Sequence, residues 1–155
     1  MTALTHPDDI AAALRDCQTD HLFVLIGLNP LPNYVAARLL LRPGGKLYMV
    51  YAARATEDAR QRTLHPLKRL LKDQHGITTD LFFPVAEADG DAIFKEVEKQ
   101  AKKITQGTIG LHYTGGTKAM STHAYRALEK LGSATHQNIV FSYLDAHTRT
   151  LMVEP

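Results

Sequence analysis

The chain has 155 residues, 45% of them hydrophobic and 22% charged, which is ordinary for a soluble globular protein and enough for one domain with a sizeable core. A formal net charge of +2 is too small to imply general nucleic-acid binding, so no DNA partner is expected. The single cysteine, Cys17, excludes an intramolecular disulfide and a cysteine-rich zinc site, and it fits a reducing cytoplasm.

In chain order, Pro7 to Asp16 has a helical pattern, with Ile10, Leu14 and Cys17 on one face. Asp8 and Asp9 stand where a secretory signal would carry basic residues. His21 to Leu28 is a continuous apolar run and reads as a central strand; like every other run, it falls far short of the roughly 20 apolar residues that span a bilayer. Asn29-Pro30-Leu31-Pro32-Asn33 breaks regular structure, and Pro32 suits the first turn of a helix to about Leu41. Pro43-Gly44-Gly45 predicts a turn, and Lys46 to Ala52 a second buried strand. Thr56 can cap a helix over Glu57 to Lys72, which Pro66 kinks or splits.

Ile77 to Val85 reads as a third strand, and Asp89 or Asp91 starts a helix to about Ile104. Thr108 to Tyr113 is a fourth strand, followed by a helix from Thr117 or Lys118 to Leu131. Asn138 to Leu144 is a strand, Asp145 to Thr148 turns the chain, and Thr150 to Val153 returns as a hairpin. The alternation predicts an α/β domain: a three-layer, Rossmann-like, mainly parallel sheet with helices on both faces and a C-terminal antiparallel hairpin. Ligands of such sheets bind beyond the C-terminal strand ends, here the loops Gly27 to Asn33, Ala52 to Thr56 and Tyr113 to Lys118.

The third of these loops carries the most chemistry. Thr114, Gly115, Gly116, Thr117 and Lys118 join a strand to a helix. The glycine pair lets backbone N–H groups turn toward a ligand with no Cβ in the way. The helix N-terminus favours negative charge, and Lys118 adds a full positive one. The set reads as a phosphate cradle, although a Gly-Gly pair after a strand also serves as a plain tight turn. It is neither a Walker A loop nor a G-x-G-x-x-G fingerprint, which disfavours ATP hydrolysis and dinucleotide binding. The eight histidines lack metal-ligand spacing, so neither metal nor cofactor is expected. Arg60, Arg62, Lys68, Arg69 and Lys72, and Lys95, Lys99, Lys102 and Lys103, read as solvated helix faces.

The block Thr114-Gly115-Gly116-Thr117-Lys118 with Met120 resembles the N-x-T-G-G-T-K-x-M motif of a subgroup of CRISPR-associated Rossmann fold (CARF) domains. The Pro/Asn-rich segment Gly27 to Asn33 is similar to that family's first motif, and the turn at Tyr143-Leu144-Asp145 has its look. The resemblance runs from His21 onward, with His112 standing where the motif has asparagine. It implies that residues 1–155 form a single CARF-like ligand-binding domain, a homodimeric sensor of cyclic oligoadenylate, the second messenger of type III CRISPR signalling, with cyclic tetra-adenylate ahead of the six-membered ring. An effector would then be fused outside this chain or act as a partner.

On that footing Thr114, Gly115, Gly116 and Thr117 contact phosphate and ribose, and Lys118 neutralises a phosphate. Asn29, Pro30 and Asn33 line the adenine or ribose side, with Ala53, Thr56 and His112 close by. Thr56 as a plain cap, His112 as a strand-end residue and Met120 as core are the competing readings. Tyr34 and Tyr113 are candidates for stacking on adenine or for the core. Two other functions compete with the sensor: a metal-independent ring nuclease, in which Lys118 and Thr114 would be catalytic, and an unrelated module for a mononucleotide or phosphosugar.

Overall fold

The computed structural model describes residues 7–135 and 137–154. Six strands form one sheet in the order β3-β2-β1-β4-β5-β6. They are β1 (Thr19–Leu25), β2 (Leu41–Ala52), β3 (Thr78–Val85), β4 (Ile109–His112), β5 (Ile139–Asp145) and β6 (Thr150–Val153). Strands β1 to β5 are parallel, and β6 runs antiparallel to β5. The expected α/β architecture with its terminal hairpin is therefore present.

Helices cover both faces. On one side α5 (Gly90–Lys102) and α6 (Lys118–Thr135) bury Ile93, Val97 and Ala101, and Met120, Ala124, Leu128 and Leu131, against Phe23, Leu25, Val50 and Leu111. On the other, α2 (Leu31–Leu40) and α4 (Leu64–His75) bury Ala36, Ala37 and Leu40, and Leu64, Leu67 and Leu71, against Leu22, Val24, Leu47 and Met49. The alternation of Leu22, Val24 and Ile26 with Phe23 and Leu25 feeds both cores from one strand, which is why the chain is apolar from Leu22 to Ile26. α1 (Pro7–Cys17) precedes β1, and Cys17 packs against the second core. The side chain of Ile10, expected on the same face, lies outside the described residues.

The structure departs from the sequence expectation in four places. β1 starts at Thr19 and stops at Leu25, because the backbone turns away at Gly27 after Ile26 N–H donates to Val50 O at 2.8 Å. Pro43-Gly44-Gly45 is not a free turn but a bulge inside β2. The register jumps from Thr19 opposite Leu41 to His21 opposite Lys46, and Gly44 takes a positive φ of 78°. The helix over 57–72 splits at Thr63 rather than Pro66, into α3 (Glu57–Arg62) and α4. Pro66 then falls in the first turn of α4, where an absent N–H breaks no intrahelical bond. Finally α6 runs past Leu131 to Thr135, with Gly132 seated so close to Ile139 that a Cβ would lie 2.9 Å from Cγ1.

Candidate functional site

The strand order reverses direction between β1 and β4. The chain leaves β1 for α2 on one face and leaves β4 for α6 on the other, opening a crevice at the carboxyl ends of these two strands. The two loops meet there backbone to backbone. A Cβ on Gly27 would stand 2.8 Å from Gly116 N, and one on Gly115 would stand 2.5 Å from Leu25 O. Gly115 and Gly116 have φ values of 101° and 66°, a region that side-chain-bearing residues rarely enter. The glycines are thus required by geometry and shape the floor of the crevice.

Thr117 caps α6: its hydroxyl accepts from Met120 N–H at 3.2 Å and donates to Glu87 O at 2.7 Å. The first intrahelical bond runs from Ser121 N–H to Thr117 O at 3.1 Å. That leaves the N–H groups of Lys118 and Ala119 without intrahelical partners, at the positive end of an 18-residue helix. Gly116, Thr117 and Lys118 are exposed, and the Lys118 ammonium has no ion-pair partner among the described residues. Every feature here favours an anion.

A cleft of about 420 Å³ adjoins this turn. Its walls come from Ile26, Gly27 and Leu28 after β1, and from Tyr51, Ala52, Arg54 and Ala55 at the end of β2. Ala59, Arg60 and Thr63, Leu64 at the start of α4, Glu87 after β3, and Gly116, Thr117 and Met120 complete it. Leu28 is 93% exposed, an apolar side chain held at the rim. Arg60 is held by Ala55 O at 2.7 Å and by Glu57, whereas Arg54 extends into solvent.

The other sequence candidates are more occupied. Asn33 is fully buried and donates to Leu25 O at 2.8 Å, tying α2 to the end of β1, while its Oδ1 has no partner. Asn29 accepts from Leu31 N–H at 3.1 Å and so supports the start of α2 beside Pro30. Thr56 caps α3 through Ala59 N–H at 3.1 Å, and the neighbouring Ala53 N–H donates to Val85 O. Thr114 accepts from Leu144 N–H at 2.7 Å, bracing β5. His112 is fully buried beside Ser142 Oγ at 3.0 Å, with Nε2 unpartnered, and burial pushes its pKa down to about 4.

Of the tyrosines, Tyr34 bonds His75 Nε2 at 2.9 Å. Tyr113 and Tyr125 both donate to the Glu154 carboxylate, at 2.5 and 2.7 Å. Burial foremost pushes the Tyr113 phenol up, and the Glu154 bond pushes Tyr125 up to about 12. Met120 is fully buried core that also floors the cleft.

The sequence points to the turn 114–118 and to the loops that contain Gly27 and Arg54, but it puts Arg60 on a solvated helix face and assigns nothing to Glu87. Glu87 was findable, since it lies just past a strand expected to end at Val85. Arg60 was hidden by its place in a charged helical run.

Fold and site define a Rossmann-like α/β domain with an anion-favouring turn at its topological switch point. A scan against protein-family models gives no match, and a search of curated proteins gives no significant one. Among solved structures the chain is similar to Can2 from Sulfobacillus thermosulfidooxidans in complex with cyclic tetra-adenylate, with a TM-score of 0.64 and 14% identity over 86% of this chain and 36% of that one. It is also similar to protein VC1899 from Vibrio cholerae, with a TM-score of 0.66 and 14% identity over 86% of this chain and 33% of that one. The chain therefore shares their fold and spans about a third of their length.

Proposed function

We propose that this chain is a CARF-like sensor domain of type III CRISPR antiviral signalling, binding cyclic oligoadenylate, and cyclic tetra-adenylate in preference. The observation that carries this reading is the 115–118 turn. It presents two glycines, two open helix N–H groups and a lysine without an ion-pair partner among the described residues, at the switch point of a fold shared with a cyclic tetra-adenylate-bound protein. A cleft of about 420 Å³ lies in the range of a single small-molecule site, so one protomer engages only part of a ring with four phosphates. A two-fold axis that sets two turns facing each other completes the site with no new chemistry. The domain accordingly works as a homodimer, with its effector fused beyond residues 1–155 or recruited as a partner.

Calorimetry against cyclic tetra-adenylate, cyclic hexa-adenylate, linear tetra-adenylate and AMP tests this, with light scattering on the same samples. Tightest binding to the four-membered ring by a dimer is the expected result. Equal affinity for AMP, or a monomer with and without ring, would make the cleft a mononucleotide site. Loss of the ring to linear products during incubation, unaffected by chelator, would convert the sensor into a ring nuclease.

A further inference from the structure

One acidic side chain, Glu87, lines the cleft. Its loop is pinned on both sides. The Glu87 carbonyl accepts the Thr117 hydroxyl at 2.7 Å, Asp89 N–H donates to Ala86 O at 2.9 Å, and Asp89 caps α5 through Ala92 N–H at 3.1 Å. The His123 ring of α6 presses on Gly90, leaving no room for a Cβ. The loop that carries the carboxylate is therefore held beside the turn that caps α6.

The two carboxylate oxygens are poorly served. Oε1 lies 4.0 Å from Arg54 Nε, and that arginine is 90% exposed. Oε2 is buried with no hydrogen-bond partner among the described residues. A carboxylate only accepts hydrogen bonds, and a buried acceptor without a donor is costly. Oε2 is sealed from the cleft, so the oxygen a ligand hydroxyl can meet is Oε1, which Arg54 approaches only at the limit of an ion pair.

In a cyclic oligoadenylate the 3′ and 5′ oxygens are tied up in phosphodiesters, so its donors are the ribose 2′-hydroxyls and the adenine amines. The 2′-hydroxyl sits on the carbon next to the one carrying phosphate. Glu87 is joined to Thr117, the cap of the helix whose N-terminus takes the phosphate. The carboxylate thus meets the 2′-hydroxyl before it meets a base edge.

We infer that Glu87 accepts the 2′-hydroxyl of a ribose whose phosphate lies on the 115–118 turn, making the site selective for ribose over deoxyribose. This rests on the cyclic oligoadenylate reading above. The test measures the affinities of the wild type, Glu87→Ala and Glu87→Gln for cyclic tetra-adenylate and its all-2′-deoxy counterpart. Removing the carboxylate also removes a charge that repels phosphate, but that effect is common to both rings and cancels in their ratio. The wild type is expected to prefer the ribose ring by about tenfold or more. Glu87→Ala should bring the ratio near one, and Glu87→Gln, which keeps an acceptor, should hold an intermediate value. A thermal melt matching the wild type shows that each variant is folded, and Glu87→Gln carries the test alone if Glu87→Ala is not. A wild-type ratio near one, or a ratio unchanged in the variants, overturns the inference while leaving the ring-binding reading intact. Failure of the wild type to bind either ring overturns both.

Discussion

Two loops form the crevice, and they use their polar residues in opposite ways. After β1, Asn33 in the first turn of α2 is sealed against the strand end, and Asn29 in the loop turns its oxygen back to Leu31 N–H. In the loop after β4, Gly115 and Gly116 carry no side chains, Thr117 serves the helix, and Lys118 stands exposed beyond it. The first loop spends its hydrogen bonds on the fold. The second leaves its charge and its open N–H groups for a ligand. Asparagine next to proline looks like ligand chemistry in a sequence, yet its short amide satisfies a nearby backbone group just as readily. A lysine cannot do so as easily, because its charge is costly to bury.

The largest effect is expected where the two loops touch. Gly115→Val places a branched side chain at φ 101° with Leu25 O in the way. Strain at such a residue costs about 1–3 kcal/mol before the steric clash is added. Chemical denaturation should show a loss of about 3 kcal/mol or more, together with lost ligand binding. A variant as stable as the wild type would mean that the loops separate freely, and the description of one rigid crevice would fail.

Next comes His112, buried at the end of β4 just before the open loop. Its folded pKa of about 4 lies below the ordinary 6.5, so the unfolded chain takes up the proton first. Stability is therefore full above about pH 6.5 and falls as the pH drops toward 4, by roughly 3 kcal/mol from this group over the whole window. Urea unfolding at several pH values should show this slope, and His112→Asn, which restores the residue of the resembled motif, should flatten it. A slope that survives the substitution would place the titration elsewhere.

Lys118→Ala separates the ligand role from the fold. An exposed first-turn residue usually changes stability by within about 0.5 kcal/mol. A charge-assisted bond to phosphate contributes about 1.5–3 kcal/mol, and a two-fold site loses it twice. Calorimetry should show the affinity loss with an unshifted melt. Unchanged affinity would place Lys118 among the solvated lysines and remove the contrast between the loops.

How far the sequence revealed this site depended on the range of the interaction. The Gly-Gly pair and the lysine are local, within one turn of chain, and could be read directly, whereas the Thr117 hydroxyl, expected on the ligand, caps α6 and binds Glu87 O. Continuous apolar runs marked the buried strands, and their alternation with helices placed a core on each face of the sheet. The partner of Asn33 lies eight residues away, and that of Thr114 lies 30 away. No local pattern distinguishes such bonds from ligand contacts. The bulge at Pro43-Gly44-Gly45 was hidden for the same reason: only the register of β1 shows that those residues stay within the sheet.

The smallest effect sharpens the contrast most finely. Asn29 Oδ1 holds Leu31 N–H, while its amide Nδ2 makes no hydrogen bond among the described residues and stays available to a ligand. Asn29→Ala removes both groups and should cost about 1 kcal/mol, the usual value of a lost helix-start acceptor. Asn29→Asp keeps the acceptor, so its stability should match the wild type. It also replaces the amide donor with a negative charge on the β1 side of the crevice. If the first loop serves only the fold, Asn29→Asp binds the ring within about threefold of the wild type, a shift of roughly 0.6 kcal/mol. If ring affinity instead falls as far as it does in Lys118→Ala, with the melt unshifted, the first loop also faces the phosphates. The division of labour between the two loops would then be wrong.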